Sequence, residues 1–113
     1  MIEPLSLQKK GEVLLNTIIY PMLLHFPKSE KFALCQEIKQ RCYRMIRESI
    51  KYQTALKRDK LYYLKQIDAE LKYLLVLTSV SRDQKYITQK KAEQLQDSIA
   101  EIGRITGGLM KTA

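Results

Sequence analysis

The chain has 113 residues, 45% of them apolar and 28% charged, and carries a net charge of +8. That length suits one domain with a modest core, and the composition is that of an ordinary globular protein rather than a disordered one. No run approaches the roughly 18 apolar residues of a membrane-spanning helix, since even the stretch from Val13 to Phe26 is broken by Asn16, Thr17, Pro21 and His25.

Ile2-Glu3-Pro4 lacks the basic start and apolar run of a signal peptide, so a cytoplasmic protein is expected. The first predicted helix spans about residues 6–25, with Ser6 as its N-cap and Leu7, Val13, Leu14, Ile18, Met22 and Leu23 facing inward. Pro21 removes a hydrogen bond to the carbonyl of Thr17, which predicts a kink or break near Tyr20. Phe26-Pro27-Lys28-Ser29 then forms the first connection, with Ser29 capping the next helix.

From Lys28 to Ile102 there are 75 consecutive residues without glycine or proline, and their apolar positions recur at three and four. The second helix, about 29–53, places Cys35, Ile38, Cys42, Met45, Ser49 and Tyr52 on one seam. The third, about 58–80, carries Leu64, Ile67, Leu71, Leu74 and Thr78. The fourth, about 88–110, carries Ala92, Leu95, Ile99, Ile102, Thr106 and Leu109 behind a Thr88 cap. The fold class is all-α, and these segments predict one antiparallel up-down four-helix bundle over residues 1–113. Thr54 to Asp59 offers no glycine or proline stop. The alternative is one continuous helix of about 78 Å from Ser29 to Val80, which no other segment is long enough to bury.

Chemistry-bearing motifs are scarce. The single histidine, His25, reads as a surface or helix-end residue rather than a base. Asp68 and Glu70 lie about 200° apart around a helix, so Glu70 reads as a surface or interhelical pairing residue. Cys35 and Cys42 lie about 10.5 Å apart along one helix, beyond disulfide reach, and read as reduced core residues. Neither a catalytic residue, a metal site nor a cofactor is expected. Gly103 and Gly107 each cost about 1 kcal/mol in a helix, which predicts close approach of another helix, from this chain or a neighbouring subunit.

Charge is the strongest signal. Lys39 to Lys65 holds nine basic residues and two acidic ones, a net +7 in 27 residues, while the remaining 86 carry eleven against ten. With Arg44 as zero, Arg41, Lys51 and Arg47 fall at about +60°, −20° and −60° on the helix face opposite the core seam. Lys57, Arg58, Lys60 and Lys65 continue the run. These eight residues, Arg41, Arg44, Arg47, Lys51, Lys57, Arg58, Lys60 and Lys65, form the expected nucleic-acid-binding surface. Tyr43, Tyr52, Tyr62 and Tyr63 are interleaved with them as candidates for base stacking. A membrane surface fits less well, because the basic face lacks flanking apolar residues to insert below the headgroups.

Four blocks carry a resemblance that spans nearly the whole chain: Tyr20-Pro21, Phe26-Pro27-Lys28, Leu71 to Leu77, and Ala100-Glu101-Ile102-Gly103-Arg104-Ile105-Thr106-Gly107-Gly108-Leu109. The chain resembles the accessory variability determinant proteins of diversity-generating retroelements. It is similar, more distantly, to the four-helix-bundle proteins encoded in intervening sequences of bacterial 23S ribosomal RNA genes, which would make it a structural or protein-interaction bundle without a nucleic-acid role. The Tyr-Pro pair favours the retroelement branch. That resemblance implies a non-catalytic homopentamer of a bacterial, archaeal or phage-encoded system, which binds RNA and DNA and associates with a reverse transcriptase during mutagenic copying of template RNA into cDNA. Arg104, inside the shared block, is expected either to make an intersubunit or interhelical salt bridge, for example to Glu101 or Glu70, or to touch nucleic acid.

Overall fold

Apolar spacing of three and four yields helix throughout the computed structural model, which describes residues 5–113. The elements are α1 (Leu5–Leu14), a π-helical turn (Leu15–Ile19), α2 (Tyr20–Leu23), a 3-10 turn (Lys28–Glu30), α3 (Leu34–Thr54), α4 (Lys57–Asp83) and α5 (Gln89–Met110). No strand occurs among the described residues. The α1–π–α2 rod, α3, α4 and α5 make four helical segments. Contacts of α1 with α3, α3 with α4, α4 with α5, and α5 with α1 close them into a ring around one apolar core.

Every inward position read for the last three helices is buried. Ile38, Cys42, Leu64, Ile67, Leu74 and Leu95 are all at 0–1% exposure. The buried hydroxyls that interrupt the seams return their protons to their own helices: Ser49 Oγ donates to the Ile46 carbonyl and Thr78 Oγ1 to that of Leu74. Each therefore enters the core without an orphaned donor.

The first rod departs from expectation in three ways. The Ile2-Glu3-Pro4 opening lies outside the described residues, and Ser6 already sits within α1, so it is not the N-cap. Pro21 does not break the rod. A π-helical turn precedes it, with the Tyr20 amide donating to the Leu15 carbonyl five residues back, and α2 continues through the proline. Val13, expected inside, is 50% exposed. Its turn turns Gly11 inward instead, and Met45 and Ile46 of α3 come so close that a Cβ there would meet Met45 Cε at 2.7 Å and Ile46 Cγ1 at 2.9 Å.

Ser29 does not cap the next helix, because it lies in the 3-10 turn and α3 begins only at Leu34. Glu30 supplies the missing acceptors. Its Oε1 accepts from the Leu34 amide at 3.5 Å and its Oε2 from the Tyr86 hydroxyl at 2.9 Å, tying the connection to the turn before α5. Phe26 is buried beneath, its ring 5.3 Å from that of Tyr86.

The uncertain boundary between α3 and α4 is a true break. Ala55 and Leu56 are extended, with ψ of 152° and 151°, so the continuous-helix alternative does not hold in a molecule 43 Å long. The stop is tertiary: Lys60 Nζ, one turn into α4, donates to the Tyr52 carbonyl at 2.8 Å and sits 4.5 Å over the Tyr52 ring. At the start of α5, Thr88 acts as expected, its side chain accepting from the Lys91 amide at 3.0 Å.

Candidate nucleic-acid interface

The eight cations divide into two groups once their neighbours are counted. Arg41 is withdrawn from the surface. Its side chain is 11% exposed, its Nη1 bonds both carboxylate oxygens of Glu70 on α4 at 3.0 and 2.9 Å, and its Nη2 lies 3.3 Å from Glu37. The guanidinium also stacks 5.0 Å from the centre of the Tyr73 ring. Glu70 is thus the interhelical pairing residue expected of it. Lys60 is likewise committed, to the end of α3. Lys51 keeps half its side chain in solvent and meets Glu48 at 3.4 Å, a contact too exposed to neutralise it.

Arg44, Arg47, Lys57, Arg58 and Lys65 are exposed and make no ion pair with another described residue. They fall on the outer face of α3 and the first turns of α4. Lys57 and Arg58 are the first two residues of α4, where the helix dipole is already positive. Only Asp59 opposes them in that turn. Cations there work against the stability of α4, and the same arrangement concentrates positive potential where an anion would meet it.

The four interleaved tyrosines also separate. Tyr52 is 6% exposed and packs in the core. Tyr43 shares a hydrogen bond with the Tyr20 hydroxyl, and that bond, with burial, pushes its phenol up to about 12. Tyr63 packs against the core and meets the edge of Tyr62 at 5.3 Å. Tyr62 alone of the four is largely open, at 62%, one turn from both Arg58 and Lys65.

The shared fourth-helix block behaves differently from its expectation within the chain. A Cβ built on Gly103 or Gly107 meets nothing within 4 Å, so no helix among the described residues uses their smoothness. Arg104 is exposed and forms no ion pair with a described residue; Glu70 pairs with Arg41 and Glu101 with Lys10. A second feature was not read from the sequence. Besides its buried seam, α4 carries an outer row of Tyr62, Ala69, Tyr73, Val76 and Val80, all exposed, at spacings of seven, four, three and four. Its signal was present in the spacing but was masked by the stronger inner seam on the same helix.

A family model described as bAvd-like matches residues 5–113. Neither the curated proteins nor the solved structures yield a match. No helix among the described residues is long and apolar enough to cross a membrane. With a match from the first described residue to the last, this chain belongs to the bAvd-like family, a group of accessory proteins associated with the reverse transcriptases of diversity-generating retroelements.

Proposed function

We propose that this protein is a non-catalytic, nucleic-acid-binding accessory subunit of a retroelement reverse transcriptase, supporting mutagenic copying of template RNA into cDNA. The observation that carries the reading is the run of exposed cations Arg44, Arg47, Lys57, Arg58 and Lys65, which pair with no described residue, with Tyr62 open beside it. Recognition is of the phosphate backbone, since no base-reading motif accompanies the charges. The proposed architecture is a single antiparallel up-down bundle, in keeping with connections of two residues between α3 and α4 and five between α4 and α5. Self-association, as the homopentamer that the family resemblance implies, belongs to the same reading. The outer row on α4 and the open face at Gly103 and Gly107 support it. The proposed setting is the cytoplasm, with the reverse transcriptase and the template RNA and cDNA as partners.

The test is a salt titration of binding to single-stranded RNA and DNA. About five phosphate contacts per chain give a log–log slope near −3.5 on a single strand, so affinity falls about 130-fold between 50 and 200 mM salt. Replacing Arg44, Arg47, Lys57, Arg58 and Lys65 by glutamine should flatten that slope and abolish binding at the higher salt. Unchanged affinity and slope in this variant would place the interface elsewhere. Absence of binding to the wild-type chain at low salt would favour a purely structural bundle.

A further inference from the structure

The connection from α2 folds over the first turns of α3 and leaves an open cleft of about 250 Å³. Leu23, Leu24, Phe26 and Pro27 make it largely apolar. Three lysines, Lys28, Lys31 and Lys39, are among the residues that line it, and none pairs with a described carboxylate. The acid closest in sequence, Glu30, is occupied by the Tyr86 hydroxyl and the Leu34 amide. Lys39 is held 5.4 Å over the Tyr20 ring, which also lines the cleft. Leu24 is 83% exposed and the nearby Phe32 81%, so two large apolar side chains stand in solvent beside the cleft.

We propose that this cleft docks a segment of a partner protein that presents one large apolar side chain flanked by carboxylates. The volume falls below the roughly 300 to 1,000 Å³ of small-molecule sites and suits a single leucine- or phenylalanine-sized anchor. The cationic rim selects acidic flanks, and a second copy of this chain, itself at +8, is poorly matched to it. A nucleobase would place its polar edge against Leu23, Leu24, Phe26 and Pro27, leaving those groups without partners. The cleft occupies the N-terminal end of α3, whereas the unpaired cations of the proposed nucleic-acid surface begin at Arg44. The chain can then hold a polyanion and an acidic protein segment at separate places.

The probe is a fluorescein-labelled acidic peptide of Glu and Asp with a central Leu-Phe pair, compared with an equally charged peptide carrying Ser-Ser. Fluorescence anisotropy with the full chain should give at least about tenfold tighter binding of the Leu-Phe peptide. L24D, a change at an exposed position, should remove that preference without altering the helical circular dichroism. K28Q/K31Q/K39Q should weaken both peptides about tenfold, while R44Q/R47Q should leave them unchanged. Equal affinity for the two peptides, or a preference that survives L24D, overturns the proposal. So does a single-stranded oligonucleotide that displaces the peptide and depends on the same three lysines, which would give the cleft to nucleic acid.

Discussion

Arg41 has the helical position of a surface cation and the surroundings of an interior one. Glu70 and Glu37 supply the opposite charge, and only 11% of its side chain meets solvent. Removing the guanidinium alone leaves Glu70, 17% exposed, without its partner. R41M should therefore destabilise the chain by about 2 kcal/mol, less than the loss expected of a fully buried pair, and R41M/E70M should recover most of it. Urea unfolding of both single variants and the double variant measures the coupling. The pair could not be read from the sequence, because Arg41 and Glu70 are 29 positions apart and no periodicity links a residue on one helix to its neighbour on another. The cysteines were legible, since both fall on the apolar seam. Burial pushes the Cys42 thiol up to about 12 and raises Cys35 as well, so both remain neutral at ordinary pH. A thiol reagent at neutral pH should leave Cys42 unmodified until the chain is unfolded; rapid native-state reaction there would contradict the packing of α3 against the core.

At the scale of elements, glycine has opposite meanings in α1 and α5. Gly11 exists for a close crossing: a methyl group there overlaps Met45 Cε and Ile46 Cγ1. The overpacking cost of about 1–3 kcal/mol outweighs the roughly 1 kcal/mol gained in helix propensity. G11A should lower stability by about 1 kcal/mol. Gly103 and Gly107 have open space and no left-handed backbone, so G103A and G107A should each raise the stability of the isolated chain by about 1 kcal/mol. Thermal unfolding at low protein concentration separates these signs, and a loss at high concentration would mark the α5 face as covered by another copy. Helical spacing points to contact at Gly103 and Gly107 and gives no sign of the crossing at Gly11. Spacing reveals where glycine is tolerated, while only the crossing of α1 over α3 shows where it is required. Likewise, the helix stop at Ala55-Leu56 has no local breaker, because Lys60 provides it from the next helix.

For the whole molecule, charge and apolar surface pull in different directions. A net charge of +8 opposes association of identical chains, and the outer row on α4 favours it. Salt should therefore strengthen self-association while it weakens nucleic-acid binding. V76E, at a position 56% exposed, should leave the isolated chain's stability within about 0.5 kcal/mol of wild type and shift the assembled species toward monomer. Sedimentation at several salt concentrations measures both effects. An unaltered size distribution in V76E would remove α4's outer row from the assembly. The sequence by itself determined the helical segments, nearly all of their inward positions and the concentration of positive charge, because each is a local periodic property of one element. Tertiary structure alone decided which cations stay free, where α3 stops, how the rod passes Pro21 and which glycine a neighbouring helix needs. Those depend on side chains brought together from distant positions, and helical spacing carries no record of which faces will meet.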